Sequence, residues 1–285
     1  MSFIIVLLYL INPVNGILGS VPAIMQLRIA WDRIQTFLKE IPANLDLKET
    51  PKVIDYNLVK SIKIEGITFQ YKNENSLNFF SVGPIDLELK RGEALFIIGG
   101  NGSGKTTLAK LLTGLYEPDS GKIMINDKQV SSSQLSEYFS TVFNPYYLFE
   151  KLYNIDLKGK SEEVVRYLSL LNLSEKVEIS GNKYSTINLS GGQKKRLALL
   201  QCYLEDYPIY LFDEWAADQD PEYRKIFYRE LLPKMKEDGK IIIAITHDDH
   251  YFDVADKIIK MDLGKVEFIS DNFNVKSVFN PSLTS

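Results

Sequence analysis

The chain has 285 residues, room for one large domain or two smaller ones, and its 45% hydrophobic and 25% charged content is that of an ordinary globular protein. A net charge of −4 argues against a nucleic-acid binder that works through bulk positive charge, so no nucleic acid is expected among its partners. The single cysteine, Cys202, excludes an internal disulfide, and with only two histidines, His247 and His250, the composition argues against a His/Cys zinc site.

No charged side chain precedes Arg28, and the run Phe3–Ile11 is almost wholly apolar. A secretory signal would carry positive charge ahead of that run, and none is there. An uncharged stretch of this length can cross the hydrocarbon core of a bilayer; a buried helix of a soluble domain is the alternative. Asn12, Pro13, Asn15 and Pro22 suit a span packed against other helices or lining a cavity. Next, Ile24, Leu27, Trp31, Ile34, Leu38 and Ile41 recur at steps of three and four, which predicts an amphipathic helix with Arg28, Arg33 and Lys39 near its polar side. Basic residues after the span place this end in the cytosol. Pro42 stops the helix, and residues 42–60 read as a polar linker.

Ser61–Tyr71 alternates apolar and polar residues like a half-buried strand, and Tyr71 at its end can stack on an adenine face or simply pack. Pro84–Lys90 predicts a second strand. Leu95–Ile98 is a buried one, breaking into Gly99-Gly100-Asn101-Gly102-Ser103-Gly104-Lys105-Thr106-Thr107 and then a helix. This is G-x-x-x-x-G-K-[ST] between the strand and helix it requires, so the loop binds nucleotide. Its backbone N–H groups and helix N-terminus cradle phosphates. Lys105 can reach the β- and γ-phosphates, and the Thr106 hydroxyl can hold Mg²⁺.

Beyond it, Lys122–Asn126 predicts a short strand, Ser140–Phe149 a strand running into a loop that holds Asn144, and Ser161–Leu171 a helix with Ser161 as its N-cap. Leu189-Ser190-Gly191-Gly192-Gln193 opens a helix, Lys194–Leu204, in which Cys202 reads as a core residue. That helix start is a second anion-binding surface, redundant in one chain but useful to a nucleotide held by another subunit. Pro208–Glu214 is an apolar strand ending in Asp213, which helps hold Mg²⁺, and Glu214, which can orient and deprotonate the attacking water. Asp220-Pro221-Glu222 starts a helix that runs to about Met235. Lys240–Thr246 is a buried strand ending at His247, an imidazole able to donate to a γ-phosphate, whereas His250 reads as a surface or packing residue.

In this order Gly99–Thr106, the loop at Asn144, Leu189–Gln193, Phe212–Glu214 and His247 resemble the ATP-binding cassette family over about residues 61–270. The resemblance implies an α/β P-loop NTPase with a RecA-like core, an N-terminal antiparallel β-subdomain and a helical subdomain. It also implies cassettes that close as a dimer, a homodimer on this reading, on ATP and Mg²⁺, with Ser190, Gly191, Gly192 and Gln193 facing the partner's nucleotide and Asp220 at the interface. The run Leu211–Pro221, with Phe227–Pro233 and His247–Phe252, looks like the cyclic-peptide and siderophore exporters, which fuse a membrane domain ahead of one cassette. Residues 1–41 then match the end of the last membrane helix and its cytosolic extension, 42–60 a linker, 61–270 the ATPase domain and 271–285 a loose tail. The implied setting is the inner or plasma membrane with the ATPase in the cytoplasm, and the implied cargo a small peptide or siderophore. Asn144 stands where the family usually has glutamine, one methylene longer, and can do that residue's work only where its loop sits closer. A soluble ATP-driven switch and a shortened, non-exporting remnant are the alternatives.

Overall fold

The computed structural model describes residues 2–40, 58–71, 80–153 and 155–271; in the first helix the side chains of 2–12, 14, 17, 39 and 40 lie outside that description. The chain divides into two units, Met1–Ile54 and Asp55–Ser285. The first unit holds one helix, α1 (Ser2–Glu40), which continues through Pro13 and Pro22. At 100° per residue the exposed Ile24, Leu27, Trp31, Ile34 and Leu38 share a face, but exposed Met25 and Ile29 put apolar surface on the opposite side. The expected amphipathic pattern is thus blurred, because apolar residues also occupy positions assigned to the polar face. Among the described residues no helix is long and apolar enough to cross a membrane. The run Phe3–Ile11, on which the membrane expectation rests, has its side chains outside the described residues, and residues 42–57 of the expected linker (42–60) and 272–285 of the expected tail (271–285) lie outside them altogether.

The second unit is built on a six-stranded sheet in the order β12-β11-β3-β10-β9-β6. Its members are β3 (Ala94–Gly99), β6 (Phe139–Val142), β9 (Ile209–Asp213), β10 (Ile241–Ile245), β11 (Lys257–Asp262) and β12 (Lys265–Asp271). The pairings from β11 to β6 are parallel, and β12 turns back antiparallel on β11. Parallel strands covered on both faces read as continuous apolar runs, which is why β3, β9 and β10 are so legible in the sequence.

Side chains alternate across a strand, and here the alternation feeds two cores. Phe96, Ile98, Tyr210, Phe212, Ile242 and Ala244 pack with α4 (Ser161–Leu170), α5 (Gly191–Glu205), α6 (Pro221–Ile226) and α7 (Leu232–Glu237). Leu95, Ile97, Ile209, Leu211, Ile241, Ile243 and Ile245 pack with α2 (Lys105–Leu112) and the inner face of a second, antiparallel sheet. That sheet has the order β2-β1-β4-β5, from β1 (Ser61–Gln70), β2 (Ser81–Lys90), β4 (Ser120–Ile125) and β5 (Lys128–Gln129). The unit also holds a short helix, α3 (Ser132–Leu135), a two-stranded ribbon of β7 (Ile179–Ser180) and β8 (Lys183–Tyr184), and a π-helical turn, Phe227–Leu231, that joins α6 to α7. The α/β core, the antiparallel β-subdomain and the helical layer are those expected.

Four local expectations are corrected. Strand β2 starts at Ser81, with Pro84 inside it, because β2 is an edge strand and a proline there removes no ladder bond. Helix α4 has Lys160 at its cap and Ser161 as its first residue, with no side-chain capping bond. Helix α5 starts at Gly191, three residues before the expected Lys194, because Ser190 and Gln193 form a reciprocal capping box. Asp220 does occupy the N-cap of α6, but its side chain makes no capping bond.

Candidate functional site

The phosphate-binding loop leaves the C-terminal end of β3, the middle of the six-stranded sheet, and α2 begins at Lys105. Gly99 has φ +144°, and a Cβ there would lie 2.2 Å from the Met261 carbonyl oxygen and 2.8 Å from Ser103 Oγ. Only glycine fits that approach of the loop to β11. The Lys105 ammonium folds back over the loop and donates to the carbonyls of Gly99 and Gly100, each at 2.9 Å. Burial pulls its pKa below the usual lysine range, while the charges of Glu214 and Asp213 oppose that shift. Ser103 Oγ is buried and has no hydrogen-bond partner among the described residues. Asn101 and Gly102 are exposed at the crest of the loop.

At the end of β9 the Asp213 carboxylate is buried, and Thr106 Oγ1 donates to its Oδ2 at 3.3 Å. Burial raises the Asp213 pKa, with the neighbouring Glu214 charge adding to the rise; Thr106, Lys105 and the Asn144 backbone N–H favour the charged form. The Asn144 main chain therefore lies close to the Asp213 carboxylate. Glu214 is a non-glycine residue with φ +51°. Its Oε1 lies 3.3 Å from His247 Nε2 at the end of β10. His250 is 91% exposed and stands apart from this group, as expected.

Tyr71 reaches the same region from β1. Its hydroxyl is 3.1 Å from Thr107 Oγ1, and its ring meets Phe69 and Tyr116 edge-on at 5.1 and 6.0 Å. Thr107 is buried, so its hydroxyl serves this aromatic cluster. Cys202 is fully enclosed and burial pushes its thiol pKa far up, which fits the core role expected for it.

The turn at Ser190–Gly192 makes its described contacts elsewhere. The Tyr146 hydroxyl donates to the Gly191 carbonyl at 2.6 Å, and Gln219 Nε2 to the Gly192 carbonyl at 3.3 Å. Among the described residues no hydrogen bond joins this turn to Gly99–Thr107. Sequence reasoning did not assign Tyr146, Lys195, Asp218 and Gln219 to this region. Tyr146, Lys195 and Gln219 each act by the reach of a long side chain onto a main-chain group, and Asp218 by its carboxylate on the Lys195 ammonium; no spacing rule announces either.

A glycine-rich loop between a central strand and a helix, a buried aspartate against the loop threonine and a glutamate–histidine pair at the next strand ends define a P-loop nucleotide-binding cassette. The sequence profile of a family described as ABC transporter matches residues 82–217. The ATP-binding protein SyrD of Pseudomonas syringae pv. syringae is 42% identical over 270 residues, 90% of this chain and 48% of that protein. The energy-coupling factor transporter ATP-binding protein EcfA2 of Clostridium tetani is 32% identical over 224 residues, 72% of this chain and 77% of that protein. In fold, a bacterial Atm1-family ABC exporter with ATP bound superposes with a TM-score of 0.70 at 19% identity, covering 95% of this chain and 49% of that one. The chain belongs to the ABC transporter family, and it carries that family's ATP-binding ATPase domain. It spans about half the length of SyrD and of a probable ATP-binding/permease protein of Haemophilus influenzae that it matches over most of its own length.

Proposed function

We propose that the chain is the ATP-hydrolysing cassette of an exporter in the plasma or inner membrane, with the ATPase on the cytoplasmic side. On this reading it works as a dimer of cassettes, a homodimer, coupled to a transmembrane domain, and moves a small cyclic peptide or siderophore-like compound outward. One observation carries the reading of the reaction: Thr106–Asp213 and Glu214–His247, each pair 3.3 Å apart, converge beside the glycine-rich loop. The exporter branch and its cargo rest on the resemblance carried by Leu211–Pro221, Phe227–Pro233 and His247–Phe252.

The oxygens of Thr106 and Asp213 suit Mg²⁺, a hard cation that takes one or two protein oxygens and completes its shell with phosphates and water. A buried carboxylate whose charge is disfavoured by burial is the group such a cation would relieve. When bound, Mg²⁺ neutralises charge on the transferring phosphoryl group. The chain's own residues do the rest. The N–H groups of Gly100–Thr106 and Lys105 hold the β- and γ-phosphates. Glu214 accepts a proton from the attacking water, and His247 donates to the γ-phosphate while orienting Glu214. Tyr71 presents an aromatic face for the adenine. Ser190, Gly191, Gly192 and Gln193 act on the nucleotide of the second cassette, with Asp220 at the interface between them, and Asn144 senses the state of the site from beside Asp213.

Glu214→Gln tests the reading. ATP affinity should persist while turnover falls by roughly 10²- to 10⁴-fold, the worth of a positioned general base. Wild-type turnover in that variant overturns the assignment.

A further inference from the structure

The catalytic glutamate occupies a backbone conformation that a non-glycine residue adopts only at a cost. With φ +51°, Glu214 sits in the left-handed region, which persists where surrounding contacts over-determine it. Its N–H donates to the Ile245 carbonyl at 3.1 Å, which fixes one side of the residue. Its carbonyl receives the Ala217 N–H at 3.3 Å and, from a different element, the Lys195 ammonium at 3.2 Å.

Lys195 is an unusual donor. It belongs to the second turn of α5, the helix that starts at the Ser190–Gly192 turn, and it is only 3% exposed. A buried ammonium is costly unless paired and hydrogen-bonded. The pairing comes from Asp218 Oδ2 at 2.6 Å, four residues after Glu214. The tie is reciprocal, because Trp215, directly after Glu214, donates its indole N–H to the Lys195 carbonyl at 2.8 Å. Trp215 is itself fixed by stacking on Phe227 at 4.5 Å. One lysine thus joins the start of α5 to both ends of the segment Glu214–Asp218.

We propose that Lys195 is a positioning residue for hydrolysis: by bridging the Glu214 carbonyl and the Asp218 carboxylate it holds Glu214 in its strained conformation and so aims the carboxylate at the attacking water. The role rests on the reading of Glu214 as the general base. It also gives the Ser190–Gly192 turn a direct line to the glutamate of its own chain. A shift of α5 on engaging a second nucleotide site moves the ammonium, and with it the Glu214 peptide.

The test measures ATP turnover and nucleotide affinity on the full chain, for Lys195→Met and Asp218→Asn in the parent and Glu214→Gln backgrounds, with thermal midpoints recorded for all. Lys195→Met keeps the length and apolar stem but no donor. In the parent background it should lower turnover at least tenfold with ATP affinity within about threefold, a loss in kcat rather than KM. Asp218→Asn keeps an acceptor for the ammonium and should cost less than Lys195→Met. In the Glu214→Gln background Lys195→Met should change the residual turnover less than twofold, since there is no general base left to aim. Equal losses in both backgrounds, or a turnover loss that only follows the thermal midpoint, overturns the positioning role. So does parent-like turnover in Lys195→Met, which leaves the Glu214 assignment standing. Parent-like turnover in Glu214→Gln removes the base assignment, and this inference with it.

Discussion

Replacing Gly99 by alanine puts the geometry of the phosphate loop to a quantitative test. The added methyl carbon would sit 2.2 Å from the Met261 carbonyl oxygen and 2.8 Å from Ser103 Oγ, on a backbone at φ +144°. Met261 is also the register partner of Gly99 in the β3–β11 pairing, so relief needs a movement of paired backbone rather than a side-chain rotation. Backbone strain of about 1–3 kcal/mol adds to overpacking of about 1–3 kcal/mol, giving about 2–6 kcal/mol. For a domain of this size that corresponds to a fall in the melting midpoint of roughly 5–20 °C. The Lys105 ammonium is anchored to the Gly99 and Gly100 carbonyls, so nucleotide affinity should fall with stability. Two neighbours act as controls. Gly102→Ala meets nothing within 4 Å at φ +76°, so it bears only the left-handed cost of about 1–2 kcal/mol. Gly100→Ala also meets nothing within 4 Å and has no unfavourable φ, so its stability should stay within about 0.5 kcal/mol of the parent. Differential scanning calorimetry of the three variants should rank them Gly100→Ala, Gly102→Ala, Gly99→Ala in order of increasing damage. A Gly99→Ala chain that melts with Gly100→Ala would refute the close approach of loop to β11.

Other outcomes follow from the same contacts. Lys105→Ala should weaken ATP binding by roughly 10- to 100-fold, the loss of charge-assisted bonds to phosphate, measured by titration with a fluorescent ATP analogue. Trp215→Phe keeps an aromatic ring over Phe227 but leaves the Lys195 carbonyl without its indole donor, so urea unfolding should show a loss of about 1–3 kcal/mol with an unchanged slope. Because half of each proposed site comes from a second cassette, specific ATPase activity should rise with protein concentration; a strictly monomeric preparation with rapid turnover contradicts that arrangement.

The parts of the fold that proved legible are those where one physical rule dominates. Strands β3, β9 and β10 are buried on both faces, so their apolar runs stand out. The phosphate loop is legible because its chemistry demands glycines, a lysine and a threonine at fixed offsets. Boundaries were harder where side chains compete for the same role: at α4 both Lys160 and Ser161 border the helix, and the serine does not cap it. The capping box of Ser190 and Gln193 starts α5 at Gly191, although two glycines, weak helix formers, fill its first positions. Within the site, sequence motifs point to residues at fixed offsets from the glycine-rich loop and the strand ends, whereas Tyr146, Lys195 and Gln219 act on carbonyls of distant segments. Nothing in one-dimensional spacing shows that Lys195 lies beneath Glu214, since the contact spans two separate elements of the helical layer and the sheet.

The alternation of side chains in β3, β9 and β10 has a thermodynamic consequence. Phe96 belongs to the core with the helical layer and Leu95 to the core with the antiparallel sheet, and the same division repeats along Tyr210/Leu211 and Ile242/Ile243. Each central strand is therefore a shared wall, and neither core can dissolve without stripping one face of the strand that carries the phosphate loop. Melting should be a single cooperative event for the whole second unit, and a nucleotide clamped at Gly99–Thr106 should raise the stability of both layers together, including the helical layer of Val164 and Leu168.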